Sequence, residues 1–139
     1  MKYEKTRVAA TSELTVAPVV GMLFIVTRPP ETIGPRTFLV RAGTTSIGRN
    51  AASDVHVAVN HISEQHAQLK ASLDDAFHLR VDLEDVGSTN GTILIGTQGG
   101  GRTRLKPNLA QPINDGDEFS LGGHVTLRFS SPFRFPRAT

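Results

Sequence analysis

The chain predicts an all-β fold, an antiparallel β-sandwich of roughly ten short strands. Apolar residues recur at every second position in short runs, most cleanly at Phe77, Leu79, Val81 and Leu83. Period two marks a strand with one buried face. Glycine and proline turn signals separate the runs at spacings of about 8–12 residues. No stretch keeps a helical period.

The elements follow in order. Residues 1–18 mix Lys, Glu, Thr, Ser and Ala without a sustained period and end at Pro18, which reads as a flexible tail or linker. Met22 to Thr27 is a β-branched and aromatic strand, stopped by Arg28-Pro29-Pro30 because proline cannot donate to a ladder. Ala42-Gly43 turns Thr37–Arg41 into Thr44–Ile47. Asp54 to Val59 alternates as a strand, and Gln65 to Ser72 is another. Asp74-Asp75 gives a hairpin turn into the Phe77–Leu83 run. Thr92–Ile95 is followed by a glycine-rich connection at 96–101 and an irregular stretch from Leu105 to Gln111. A tight turn within Pro112–Asp117 precedes Glu118–Leu121, and Gly122-Gly123 leads to His124–Phe129. The expected organisation is a tail at 1–18, one domain at 19–131 and a C-terminal tail at 132–139.

Composition narrows the function. A chain of 139 residues suits one domain with a real core. The absence of cysteine removes disulfides, thiolate chemistry and cysteine zinc sites. It also fits a reducing compartment. The apolar stretch containing Gly21 to Val26 is far short of the roughly 20 residues of a membrane span, and Met1 to Ala10 lacks a signal-peptide core. A cytoplasmic, intracellular location without a membrane partner is expected. The formal charge is +2, and the arginines are scattered from Arg7 to Arg137 rather than gathered in a patch, so no nucleic-acid partner is expected. His56, His61, His66, His78 and His124 show no metal-ligand spacing, and Gly99-Gly100-Gly101 follows no nucleotide-binding pattern. Neither a cofactor nor a metal is expected.

Three loop-like signatures between Ser46 and Thr92 carry the chemistry. The first is Gly48-Arg49, where a glycine lets the backbone turn closely and an arginine presents a planar fork suited to phosphate oxygens. The second is Ser63-Glu64-Gln65-His66, in which the serine both donates and accepts and the histidine can hold the loop through a ring nitrogen. The third is Gly87-Ser88-Thr89-Asn90-Gly91-Thr92, with more hydrogen-bonding capacity than an Asn-Gly turn needs. Each alone has a plainer reading: a solvated arginine, a structural histidine, a hairpin turn. A Ser63–His66 nucleophilic pair with Asp54 is the enzymatic alternative. No strand-turn-helix nucleophile elbow surrounds Ser63, so no catalytic residue is expected.

Taken together and in this order, the three loops resemble the forkhead-associated (FHA) domain family. The resemblance extends to Ser53-Asp54-Val55 and to Ile113-x-Asp115-Gly116-Asp117-x-Phe119, covering about Met22 to Phe129. It implies an eleven-stranded, FHA/SMAD-like sandwich that binds phosphothreonine in extended peptides without catalysis. It implies that Arg49 and Ser63 are phosphate ligands, that Thr89 contacts the phosphate or threonine region, and that Asn90 bonds the peptide main chain beyond it. Ser88 is implied as a support behind these groups, with Gly48, His66 and Gly91 shaping the loops.

Glu64 departs from the family, which often carries a non-acidic residue there. Phosphothreonine bears about −1.5 to −2 charges at pH 7. A carboxylate about 6 Å away would repel it by a few kcal/mol at an effective dielectric near 20. Pointing inward, Glu64 lowers affinity; pointing outward, it favours a cation on the peptide.

The expected partner is a Thr-phosphorylated protein or peptide, a Ser/Thr kinase or its substrate, in kinase-dependent signalling or assembly. Two alternatives stand beside it. One is a phosphate-independent protein–protein assembly module, which Glu64 favours. The other is intramolecular regulation, with phosphorylated Thr6, Thr11 or Thr15 of the tail occupying the domain's own site.

Overall fold

A computed structural model describes residues 17–30, 32–96 and 101–135. Eleven strands run through them: β1 (Val19–Thr27), β2 (Thr37–Arg41), β3 (Gly43–Gly48), β4 (Val55–His56), β5 (Ala67–Leu73), β6 (Leu79–Asp85), β7 (Thr92–Ile95), β8 (Arg102–Arg104), β9 (Gln111–Ile113), β10 (Glu118–Leu121) and β11 (Val125–Ser130). No helix occurs among the described residues. The strands form a six-stranded sheet, β2-β1-β11-β10-β7-β8, and a five-stranded sheet, β4-β3-β5-β6-β9. Their pairings are antiparallel except for β3 with β4.

The alternation seen in the sequence builds the space between the sheets. Leu79, Val81 and Leu83 of β6 are buried, as are Ala67, Leu69 and Ala71 of the paired β5, where Leu69 lies opposite Leu83 and Ala71 opposite Val81. From the other sheet come Leu23, Phe119, Leu127 and Phe129, all fully buried. Each such side chain contributes about 1.5–3 kcal/mol through burial, enough in sum to hold loops at the sheet ends in fixed positions.

The structure departs from the sequence reading at several places. Asp54–Val59 forms only the two-residue β4; Val57 and Val59 are still buried, but as part of a loop that enters the core. Phe77 is not in the strand: it is 65% exposed with φ 62°. The Asp74 carboxylate accepts from the N–H groups of Ala76 and His78 and so closes the turn beyond Phe77. β8 lies between the expected glycine-rich connection and the expected irregular stretch, where no strand is expected, and β9 runs from the end of that stretch into the expected Pro112–Asp117 turn. The segment assigned to a C-terminal tail is partly engaged, with Phe133 and Phe135 packed on the core and the Leu79 N–H donating to the Arg134 carbonyl at 2.7 Å. Residues 1–16 of the expected N-terminal tail, with Thr6, Thr11 and Thr15, lie outside the described residues, as does most of the glycine-rich connection. No helix among the described residues is long and apolar enough to cross a membrane.

Candidate functional site

Three connections meet at one end of the sandwich: β3–β4, β4–β5 and β6–β7. Backbone bonds tie the first two together. The Arg49 N–H donates to the Ser63 carbonyl at 3.0 Å and the Asn50 N–H to the Glu64 carbonyl at 3.2 Å. Gly48 is required by this closeness. A Cβ there would lie 2.1 Å from the Glu64 carbonyl oxygen, so only a residue without a side chain lets the strands approach.

His66 joins the second connection to the third. Its Nδ1 accepts from the Ser63 N–H at 3.1 Å, which leaves Nε2 as the protonated nitrogen donating to the Gly91 carbonyl at 2.9 Å. The ring is fully buried. Burial lowers its pKa below the ordinary 6.5, and the Gly91 carbonyl and the Asp85 charge only partly oppose that. Both ring nitrogens are therefore committed to backbone, and neither is aimed at the Ser63 hydroxyl. Asp54 is engaged elsewhere, accepting from the Ser46 N–H and hydroxyl. The Ser63–His66–Asp54 arrangement of a nucleophilic hydrolase is not formed.

The third connection hangs on a residue that the sequence reading passed over. Asp85, 1% exposed at the end of β6, accepts from the N–H groups of Gly87 and Ser88 at 2.8 Å each and from the hydroxyls of Ser88 and Thr92. Burial pushes its pKa up, but these donors outweigh burial and leave it below the ordinary value. The signal was present: an aspartate two and three residues before Gly-Ser is the pattern of a side chain capping its own turn. The Ser88 hydroxyl in turn accepts from the Gly91 N–H at 2.9 Å, and Gly91 has φ +89°, a conformation that favours glycine.

The expected ligand residues Arg49, Thr89 and Asn90 each bond the segment 61–63. The Ser63 Oγ accepts from the Thr89 N–H at 2.9 Å, and the hydroxyl proton has no acceptor among the described residues. Arg49 donates through Nε to the Ile62 carbonyl at 3.0 Å, which fixes the guanidinium plane. Asn90 donates through Nδ2 to the His61 carbonyl at 3.0 Å. Glu64 stands with Oε2 3.8 Å from Nη2 of Arg49, the two side chains being 63% and 41% exposed. A pair this loose and exposed contributes about 0–1 kcal/mol. The carboxylate sits beside the arginine without being buried against it. The arrangement is a rigid, polar rim with a positioned guanidinium, a spare hydroxyl proton and exposed Thr89 and Asn90.

A family model for the FHA domain matches residues 45–122, the span that holds all three connections. Two proteins named oxoglutarate dehydrogenase inhibitor are similar to this chain. That of Corynebacterium diphtheriae is 32% identical over 114 residues, 82% of this chain and 68% of the relative. That of Corynebacterium glutamicum is 30% identical over 115 residues, 83% and 69% of the two lengths. Among solved structures, the FHA domain of an Arabidopsis thaliana hypothetical protein superposes with a TM-score of 0.61 at 21% identity, covering 90% of this chain and 96% of that one. The MEK1 FHA domain, solved with a phosphothreonine peptide of HOP1, gives 0.64 at 21% identity, covering 84% and 99%. This chain belongs to the FHA domain family.

Proposed function

We propose that this chain is a non-catalytic module that recognises phosphothreonine in an extended segment of a partner protein. The observation that supports it most is the hydrogen-bond polarity at Ser63. Because Oγ accepts from the Thr89 N–H, the hydroxyl proton is left to donate, next to a guanidinium already oriented by the Ile62 carbonyl. Donors held in place before an anion arrives give charge-assisted bonds at small ordering cost. In this proposal Arg49 and Ser63 hold phosphate oxygens, Thr89 contacts the phosphothreonine, and Asn90 bonds the main chain beyond it. A degenerate phosphothreonine peptide array with an unphosphorylated control tests it. Selective retention of phosphorylated sequences is expected; equal retention of both arms contradicts it.

A second reading is favoured by Glu64 beside Arg49 and by the name of the two relatives. It is a phosphate-independent regulator that docks on a partner enzyme, an oxoglutarate dehydrogenase being the candidate those names supply. Adding the unphosphorylated chain to that enzyme separates the two: inhibition that survives loss of the Arg49 guanidinium supports the second reading.

A further inference from the structure

The carboxylate of Glu64 is placed where it competes with any anion for Arg49, and nothing in the fold forces it there. The residue is exposed, and its backbone carbonyl alone is used structurally, by the Asn50 N–H. Residues 61–64 turn through the site, with His61 before Ser63 in the chain and Glu64 after it. Asn90 bonds the His61 carbonyl at one end, Thr89 the Ser63 hydroxyl near the middle, and Asn50 the Glu64 carbonyl at the other end. Three residues of extended chain span about 10 Å. A peptide held by Asn90 at one end and by its phosphate at Ser63 therefore passes Glu64 within one to three residues on the side away from Asn90.

A cleft of about 190 Å³ adjoins Glu64 through its chain neighbour Gln65 and through Asn50, which bonds the Glu64 carbonyl; Ala52, Ser53, Gln68 and Val86 are among its other walls. No lysine or arginine lines it. Two of its walls are bonded to carboxylates: Ser46 to Asp54, and Gln68 to Glu84. The amide walls and the Ala52 and Val86 side chains suit the aliphatic stem of a basic residue, whose head group would reach the Glu64 carboxylate.

We propose that Glu64 is a specificity-determining residue that selects a Lys or Arg one to three residues from the phosphothreonine, on the side opposite the segment held by Asn90. This inference rests on the phosphopeptide reading above. The peptide cation pairs with Glu64 and withdraws it electrostatically from Arg49, so the dianion and the cation enter together. Phosphopeptides with a neutral or acidic flank meet the carboxylate unneutralised and bind more weakly.

The test uses fluorescence anisotropy with alanine-rich peptides carrying one phosphothreonine and one arginine placed in turn at each of the three positions on either side. Every peptide has an unphosphorylated control, and wild type is compared with Glu64→Gln and Glu64→Arg. Wild type should prefer arginine on one side only, by about three- to fivefold. Glu64→Gln should abolish that preference while binding the all-alanine phosphopeptide more tightly, and Glu64→Arg should turn it into a preference for alanine. An arginine preference equal in wild type and Glu64→Gln, or absent in wild type, overturns the inference and leaves phosphopeptide binding standing. If no peptide is distinguished from its unphosphorylated control, the phosphopeptide reading itself fails, and the inference with it.

Discussion

Replacing Asp85 with alanine strips an acceptor from four donors at once: the Gly87 and Ser88 N–H groups and the Ser88 and Thr92 hydroxyls. A buried donor left unsatisfied costs about 1–3 kcal/mol. The hydroxyls can turn to other partners and the loop can open to water, so the four do not sum. The expected loss is about 3–5 kcal/mol, a large part of a total stability of about 5–15 kcal/mol. Asp85→Asn keeps an oxygen for the two N–H groups but puts an amide donor against the hydroxyls, for a loss of about 1–2 kcal/mol. Urea unfolding followed by circular dichroism reads both. The pH dependence gives an independent check. The folded-state pKa of Asp85 lies below its ordinary 3.8, so its contribution is present above that value and lost as pH falls through the lower folded pKa. Asp85→Asn should therefore flatten the acid limb of the stability curve. Stability of Asp85→Ala within about 0.5 kcal/mol of wild type would refute the role given to this carboxylate.

Other consequences are as direct. Gly48→Ala places a methyl 2.1 Å from the Glu64 carbonyl and must part β3 from the β4–β5 connection. A loss of about 2–4 kcal/mol is expected from denaturant unfolding, with weakened peptide binding; an unchanged midpoint contradicts the close approach. In nitrogen-15 NMR at neutral pH, His66 should appear as the neutral Nε2–H tautomer, and it should take up a proton only below the ordinary 6.5, because burial lowers its pKa. Protonation of His66 at or above the ordinary histidine value of about 6.5 contradicts that. The sign for stability follows: the unfolded histidine takes up a proton below about 6.5 that the folded one refuses, so acidification from pH 7 to 5 costs stability through this residue. Asn90→Ala should weaken peptide binding about tenfold with little change in melting temperature, since its one structural bond is at the exposed rim; a melting loss without a binding loss would make Asn90 a structural residue only.

Strand alternation made most of the sandwich legible in the sequence: Thr37–Arg41, Thr92–Ile95 and Glu118–Leu121 stand where period two and the turn residues put them. β8 and β9 were missed for a physical reason. Arg102–Arg104 is exposed throughout and Gln111–Ile113 carries a proline, so neither shows an apolar face of its own; both are edge strands pairing on one side. Phe77 continued an alternation that the Asp74 turn interrupts, which composition alone does not reveal. At the site, residue types and order indicated Arg49, Ser63, Thr89 and Asn90. The supports were less visible: the Ile62 and His61 carbonyls act through partners close only in the folded chain, and Asp85 caps its own turn by a local pattern that residue type alone does not single out.

The measurement closest to the central claim is a calorimetric titration of one threonine peptide, phosphorylated and unphosphorylated, into wild type and Arg49→Ala. The guanidinium is exposed and makes one hydrogen bond among the described residues, so the variant should stay folded. Binding of the phosphorylated form to wild type alone, lost in Arg49→Ala, is the predicted result. Equal binding of both peptide forms, or undiminished binding by the variant, would contradict it.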